Sequence, residues 1–183
     1  SINKFKFNQV KQKISKKRTD LYQGIFFLSK FLTLKECKTL IALTNSVGYV
    51  ETNQKETRWS AHRKNGRLQV QSDSVAESLF QRLQSETEHF PPKGKSTPIG
   101  LSSNFRFYKY EPGDRFGMHI DDSIELGHGT THFTLLFYLN SDFDGGSTKF
   151  YEGSNPKTAK CVVDVIPEEG GALVHSHFPT CLL

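Results

Sequence analysis

Thr131-His-Phe-Thr-Leu-Leu-Phe-Tyr-Leu-Asn140 is the stretch that decides the fold. In an extended chain Phe133, Leu135, Phe137 and Leu139 share one face and Leu136 and Tyr138 the other, because strand side chains alternate. A strand that is apolar on both faces is expected in the middle of a sheet stack. Upstream, Arg106 to Tyr110 alternates in the same way, Pro112-Gly113-Asp114 turns, and Met118 to Asp121 is short and β-like. Downstream, Asp144-Gly-Gly146, Gly153-Ser-Asn-Pro156 and Pro167-Glu-Glu-Gly-Gly171 are turn signals. They bracket short strands near Ser147–Tyr151, Lys160–Ile166 and Ala172–His177. Closely spaced short strands predict a sandwich or barrel, and a jelly roll fits.

Before Asn104 the period is helical. Thr33-Leu-Lys-Glu36 reads as a capping box, with Thr at the N-cap and Glu three residues on. Cys37, Leu40, Ile41 and Thr44 follow at helical spacing, and Gly48 is the stop. A second helix is expected from Ser72 or Asp73, with Val75, Ala76, Leu79, Phe80 and Leu83 on one stripe and Pro91-Pro92-Lys-Gly94 beyond its end. Tyr22 to Leu32 is an apolar stretch that reads as an edge strand. The fold class is α+β: N-terminal supporting helices, then an antiparallel double-stranded β-helix unit.

The chain has 183 residues, a length that predicts one domain. Hydrophobic residues at 36% and charged ones at 23% exclude a disordered chain. No run of ~18 apolar residues is present to span a membrane, and no apolar stretch follows the lysines of the N-terminus to make a signal peptide. Residues 1–20 hold seven of the 24 basic residues against one acid, a net charge of +6; the remainder has 17 basic against 18 acidic, a net of −1. Residues 1–21 are therefore read as a basic, partly disordered leader, able to contact an acidic partner, and 22–183 as the folded domain. No nucleic-acid motif follows the leader. Cys37, Cys161 and Cys181 form no metal-binding or disulfide pattern, which favours a reducing compartment, cytoplasm or nucleus.

The chemistry centres on His119-Ile-Asp121. Residues two apart on a strand project from one face, so an imidazole and a carboxylate converge. They supply two corners of a 2-His-1-carboxylate triad, the set that suits non-haem Fe(II) with open positions for oxygen chemistry. Alone, the same spacing also describes a surface His–Asp pair. The surrounding sequence distinguishes the two. Tyr108-Lys-Tyr110-Glu-Pro-Gly-Asp-Arg-Phe-Gly-Met-His119-Ile-Asp121, Thr134-Leu-Leu-Phe-Tyr138-Leu-Asn140, Gly145-Gly-Ser-Thr148 and Gly170-Gly-Ala-Leu-Val174 occur in that order.

This series resembles the prolyl 4-hydroxylase-like branch of the Fe(II)/2-oxoglutarate-dependent dioxygenases, over roughly residues 100–183. The resemblance implies a double-stranded β-helix with His119 and Asp121 as the first two iron ligands. It implies that Tyr110 and Thr148 face the 2-oxoglutarate co-substrate, and that Arg63, Asn65 and Arg67 border the mouth of the site toward substrate. Fe(II), 2-oxoglutarate and O2 are the implied cofactors, with room for ascorbate. The implied reaction converts 2-oxoglutarate to succinate and CO2 while hydroxylating a C–H bond, on a protein or peptide side chain such as proline. A carboxylate at Asp121 favours hydroxylation over halogenation. In the family a leucine pair precedes the distal His ligand, and a Lys or Arg beyond it holds the far carboxylate of the co-substrate. This chain stops at Cys181-Leu-Leu183, so the sequence is expected to be either clipped or truncated ahead of both. His175 and His177, alternating with Ser176, are the fallback ligands, and His128 and His132 are read as substrate-facing or solvated. A catalytically inactive oxygenase-fold binding module, and a metal-storing or sugar-binding jelly roll, are the competing readings.

Overall fold

A computed structural model describes residues 17–57, 60–87, 97–127, 129–153, 155 and 157–177, and the backbone of 181–182. Its elements are β1 (Lys17–Tyr22), β2 (Ile25–Ser29), α1 (Leu34–Val47), β3 (Val50–Gln54), β4 (Arg63–Gln71), α2 (Asp73–Thr87), β5 (Asn104–Lys109), β6 (Arg115–Phe116), β7 (Glu125–Leu126), β8 (Gly129–Thr130), β9 (Phe133–Phe137), β10 (Thr148–Glu152), β11 (Lys160–Val165), β12 (Ala172–Ser176) and β13 (Cys181–Leu182). One sheet runs β1-β2-β12-β9, a second β11-β10-β13, and a third β3-β4-β5 with β6 on the start of β4; β7 and β8 form a hairpin. Every pairing among them is antiparallel.

Strand parity divides the core in two. On β2, Phe26 and Leu28 join one buried cluster while Ile25 and Phe27 join the other; on β12, Ala172 and Val174 go to the first and Leu173 to the second. Both strands therefore bury both faces, each buried large side chain being worth about 1.5–3 kcal/mol. α1 and α2 close the first cluster with Cys37, Leu40, Val75, Leu79 and Leu83. The second cluster, with Phe150, Val163 and Val165, is the floor beside which the candidate site lies.

Three expectations change. Tyr22–Leu32 does not supply an edge strand: β2 lies between β1 and β12, and its continuous apolar run is the mark of burial on both faces. Residues 17–21, read as leader, form most of β1, which pairs Lys17 with Ser29 and Arg18 with Leu28 and takes the edge instead. Residues 1–16 lie outside the described residues, as do Pro91-Pro92-Lys-Gly94. β9 ends its sheet rather than occupying the middle, and all five of its residues are only partly buried, because it borders a broad cleft.

The capping box forms as expected. Thr33 Oγ1 accepts from Glu36 N at 3.2 Å, and Glu36 Oε2 accepts from Thr33 N at 2.8 Å. The carboxylate also receives a two-pronged bond from Arg82 of α2, at 2.8 and 3.0 Å, and Arg82 donates to the Phe31 carbonyl at 2.9 Å. One buried ion pair thus joins α1, α2 and the end of β2. Gly170 and Gly171 pin the turn before β12: Tyr138 and Gly171, and Gly170 and Tyr138, exchange backbone bonds, while Leu32 N donates to Gly170 O. Gly170 has φ +80°, and a Cβ there would meet the Leu32 carbonyl oxygen. Gly170→Ala should lower the unfolding free energy by more than ~1 kcal/mol in a denaturant titration.

Burial pushes the Cys37 thiol up to about 11, reinforced by the charges of Glu169 and Glu36. Cys161 is exposed. A thiol reagent at pH 8 should modify Cys161 in the native protein and reach Cys37 only on unfolding, as read by peptide mass mapping.

Candidate metal and oxygenase site

His119 and Asp121 follow β6 on an extended segment and point the same way, as their spacing requires. His119 Nε2 lies 3.3 Å from Asp121 Oδ1. The His119 ring stacks on Phe116, centroids 3.7 Å apart, and the Arg63 guanidinium covers the other side of Phe116 at 3.6 Å. His119 Nδ1 lies 2.9 Å from the Gly117 carbonyl, which can only accept. A neutral His119 therefore carries its proton on Nδ1 and turns the lone pair of Nε2 toward Asp121. With a proton on Nε2 the two side chains form an ion pair; without it Nε2 and Oδ1 are two donor atoms open to a cation.

β12 brings a third imidazole. His175 pairs with Thr134 across the β9–β12 ladder, on the Leu173 side of the strand. It is 1% exposed, sits edge-on to Phe150, and gives Nδ1 to the Ser176 carbonyl at 3.1 Å. Its Nε2, 3.5 Å from Asp121 Oδ2, has no hydrogen-bond partner. His119 and His175 thus approach opposite oxygens of one carboxylate. Among the described residues, no group of three or more His, Cys, Asp or Glu side chains is arranged around one metal centre. The donor chemistry suits a divalent cation beside His119 Nε2 and Asp121 Oδ1, with a buried unpartnered imidazole nitrogen next to them.

Asp121 is held ionised. Burial works against its charge, but His119, His175 and Thr134, and the nearby His175 charge, outweigh it and hold the carboxyl far below the ordinary range. Thr134 Oγ1 lies 2.8 Å from Asp121 Oδ2 and 3.0 Å from His177 Nε2, and His177 Nδ1 lies 3.2 Å from Ser123 Oγ. Burial lowers the His177 pKa, and the His175 and His132 charges add to this against the pull of Asp121 and a backbone hydrogen bond with Phe133. His132 has a buried Nδ1 without a partner, and its carbonyl accepts from His177 N. His128 lies outside the described residues.

Tyr110, Thr148 and Arg63 line the same cleft as His119 and Asp121. Thr148 Oγ1 accepts from Tyr138 Oη at 2.7 Å, so its own proton is free for the cleft; burial pushes the Tyr138 hydroxyl up to about 12. Tyr110 is 47% exposed, yet burial of its hydroxyl end raises its pKa, opposed by the Asn65 amide and the Arg63 charge. Arg63, Asn65 and Arg67 occupy one face of β4 rather than a loop. Asn65 is fully buried with neither amide atom in a hydrogen bond of good geometry, whereas Arg67 reaches Gln69 at the surface.

No local sequence signal marks Thr134 as part of the site or brings His175 to Asp121. The alternation of Ala172-Leu-Val-His-Ser-His177 puts both histidines on one side. Nothing in that run tells that β9 is the neighbour supplying Thr134.

Residues 105–179 match the family profile of the 2OG-Fe(II) oxygenase superfamily. No curated protein sequence matches the chain. Among solved structures, a viral collagen prolyl hydroxylase from Paramecium Bursaria Chlorella virus-1, in its 2OG complex, superposes with a TM-score of 0.53 at 16% identity, covering 84% of this chain and 77% of that one. At that identity the likeness concerns the fold alone.

Proposed function

We propose that this chain, whose residues 105–179 match the 2OG-Fe(II) oxygenase superfamily, is a member of it and a hydroxylase that acts on a protein or peptide side chain, proline first. The observation that carries the reading is the convergence of His119 Nε2 and Asp121 Oδ1 at 3.3 Å, with the buried His175 Nε2 3.5 Å from the other carboxylate oxygen. His119 and Asp121 would hold the metal, and Tyr110 and Thr148 would face 2-oxoglutarate. When bound, Fe(II) and its co-substrate supply oxygen activation for hydroxylating an unactivated C–H bond, with succinate and CO2 released.

The chain's own residues do the rest. Phe116 stacks on His119 and fixes the ring plane, while Gly117 O fixes which nitrogen faces the cleft. The second core cluster, reached through Phe150 against His175, keeps water from the inner side. Arg63, held over Phe116 with its Nε buried and unpartnered, offers a planar cation at the cleft for a carboxylate or amide of the substrate. Asn65 and Arg67 support this strand face. The jelly roll is the architecture we propose for the sheet β1-β2-β12-β9 and the sheet β11-β10-β13. Cytoplasm or nucleus is the proposed compartment; no helix among the described residues is long and apolar enough to cross a membrane. An acidic partner remains the proposal for the basic leader.

The inactive binding module is the second reading, favoured by the placement of His119 and His175 on opposite oxygens of Asp121. Succinate release from 2-oxoglutarate by the full-length protein with Fe(II), first uncoupled and then against a peptide library, separates the two. No succinate, together with iron binding unaffected by 2-oxoglutarate, would leave the binding module standing.

A further inference from the structure

Thr134 faces the site from β9, on the side of Leu136 and Tyr138. Its hydroxyl has two neighbours, Asp121 Oδ2 at 2.8 Å and His177 Nε2 at 3.0 Å, and one proton to give. An ionised carboxylate only accepts, so the proton goes to Asp121, and Thr134 must accept from His177 Nε2–H. A neutral His177 protonated at Nε2 presents a lone pair at Nδ1, and Ser123 Oγ is 3.2 Å away to donate. The three bonds then run one way: Ser123 to His177, His177 to Thr134, Thr134 to Asp121.

That direction decides which carboxylate oxygen is free. Oδ2 is occupied by the Thr134 hydroxyl, and Oδ1 is left facing His119 Nε2 at 3.3 Å. Rotating the carboxylate to offer both oxygens to one cation would break the Thr134 bond and leave a half-buried hydroxyl proton without its acceptor. We propose that Thr134 is a positioning residue: the Ser123–His177–Thr134 chain withholds Oδ2 and presents Asp121 to a divalent cation as a one-oxygen ligand.

This rests on the metal reading of His119 and Asp121 given above, and the experiment separates the two. Mn(II) binding to the full-length protein is titrated by electron paramagnetic resonance in the wild type and in Thr134→Val, Thr134→Ser and His119→Ala. Valine keeps the shape and removes the hydroxyl; serine keeps the hydroxyl. Thr134→Val should weaken Mn(II) binding by about 10–100-fold, the range for partners of metal ligands. Thr134→Ser should recover most of that loss, and His119→Ala should bind no Mn(II). In the metal-free wild type, nitrogen-15 spectra of the His177 ring should show the proton on Nε2 and none on Nδ1.

Unchanged Mn(II) affinity in Thr134→Val, with binding lost in His119→Ala, overturns the positioning role and leaves the metal reading intact. A serine variant as weak as the valine variant overturns it too, because the hydroxyl would then not be the cause. A proton on His177 Nδ1 overturns the direction of the chain, and this readout needs no variant should Thr134→Val fail to fold. A wild type that binds no Mn(II), or a His119→Ala protein that binds it normally, overturns the metal reading and this inference with it.

Discussion

Alanine at His119 should bring succinate formation from 2-oxoglutarate to the no-enzyme baseline. The loss should exceed the ~10–100-fold that residues merely supporting a ligand are worth, because a donor atom itself disappears. The fold should survive. His119 lies on an extended segment between β6 and β7, its side chain is 19% exposed, and its main packing partner is Phe116, which keeps the Arg63 guanidinium on its other face. Circular dichroism and the thermal midpoint should therefore stay close to the wild type while turnover vanishes. Asp121→Asn tests the same centre from the other side. It keeps the shape of the side chain and the Thr134 neighbour but removes the negative charge that a dication needs, and it should also lose turnover. Undiminished succinate release in His119→Ala would refute the metal role of that residue.

The largest stability effect is expected at Glu36. Its carboxylate and the Arg82 guanidinium are both nearly buried, with side-chain exposures of 6% and 9%. Glu36→Ala leaves Arg82 charged and unpaired in the interior and also removes half of the α1 capping box, so it should cost about 3–5 kcal/mol in a denaturant titration. Replacing both partners by methionine should cost clearly less than the single alanine change, because no lone charge remains.

The pH dependence follows from the sign of the shift. Burial tends to raise the Glu36 pKa, but the bonds from Arg82 and Thr33 and the Arg82 charge prevail, and the folded value lies below the usual 4.5. A depressed carboxyl pKa contributes stability above the unfolded value and loses it as pH falls through the folded one. The stability gap between wild type and Glu36→Gln should thus be full near neutrality and close progressively below pH 4.5. A gap that is constant down to acid pH would show that the charge contributes nothing there.

Much of this molecule is legible from short-range pattern. Thr33 and Glu36 cap α1, Gly48 stops it, and Asp73 opens α2, because caps and glycine stops act within one helical turn. The four strands after Asn104 that alternate or follow turn signals form close to their expected limits, as β5, β10, β11 and β12. The His119–Asp121 convergence needs only the period of an extended chain.

What was misread depends on neighbours distant in sequence. β2 and β9 are both apolar on two faces, and no local feature says that β2 is central and β9 terminal. β1 is polar and basic, and it becomes a strand only because β2 offers it an open edge. Asn65, in a polar run read as bordering the mouth, is buried because β3, β5 and β6 all pair with β4.

The helix caps, the short alternating strands and the imidazole–carboxylate pair two residues apart are legible in the chain alone, since each rests on neighbours within a few residues. Tertiary structure alone decided which oxygen of Asp121 is free. That choice depends on Thr134, His175 and His177 arriving from β9 and the end of β12, and their meeting is set by the register of a ladder whose two strands lie far apart in the chain.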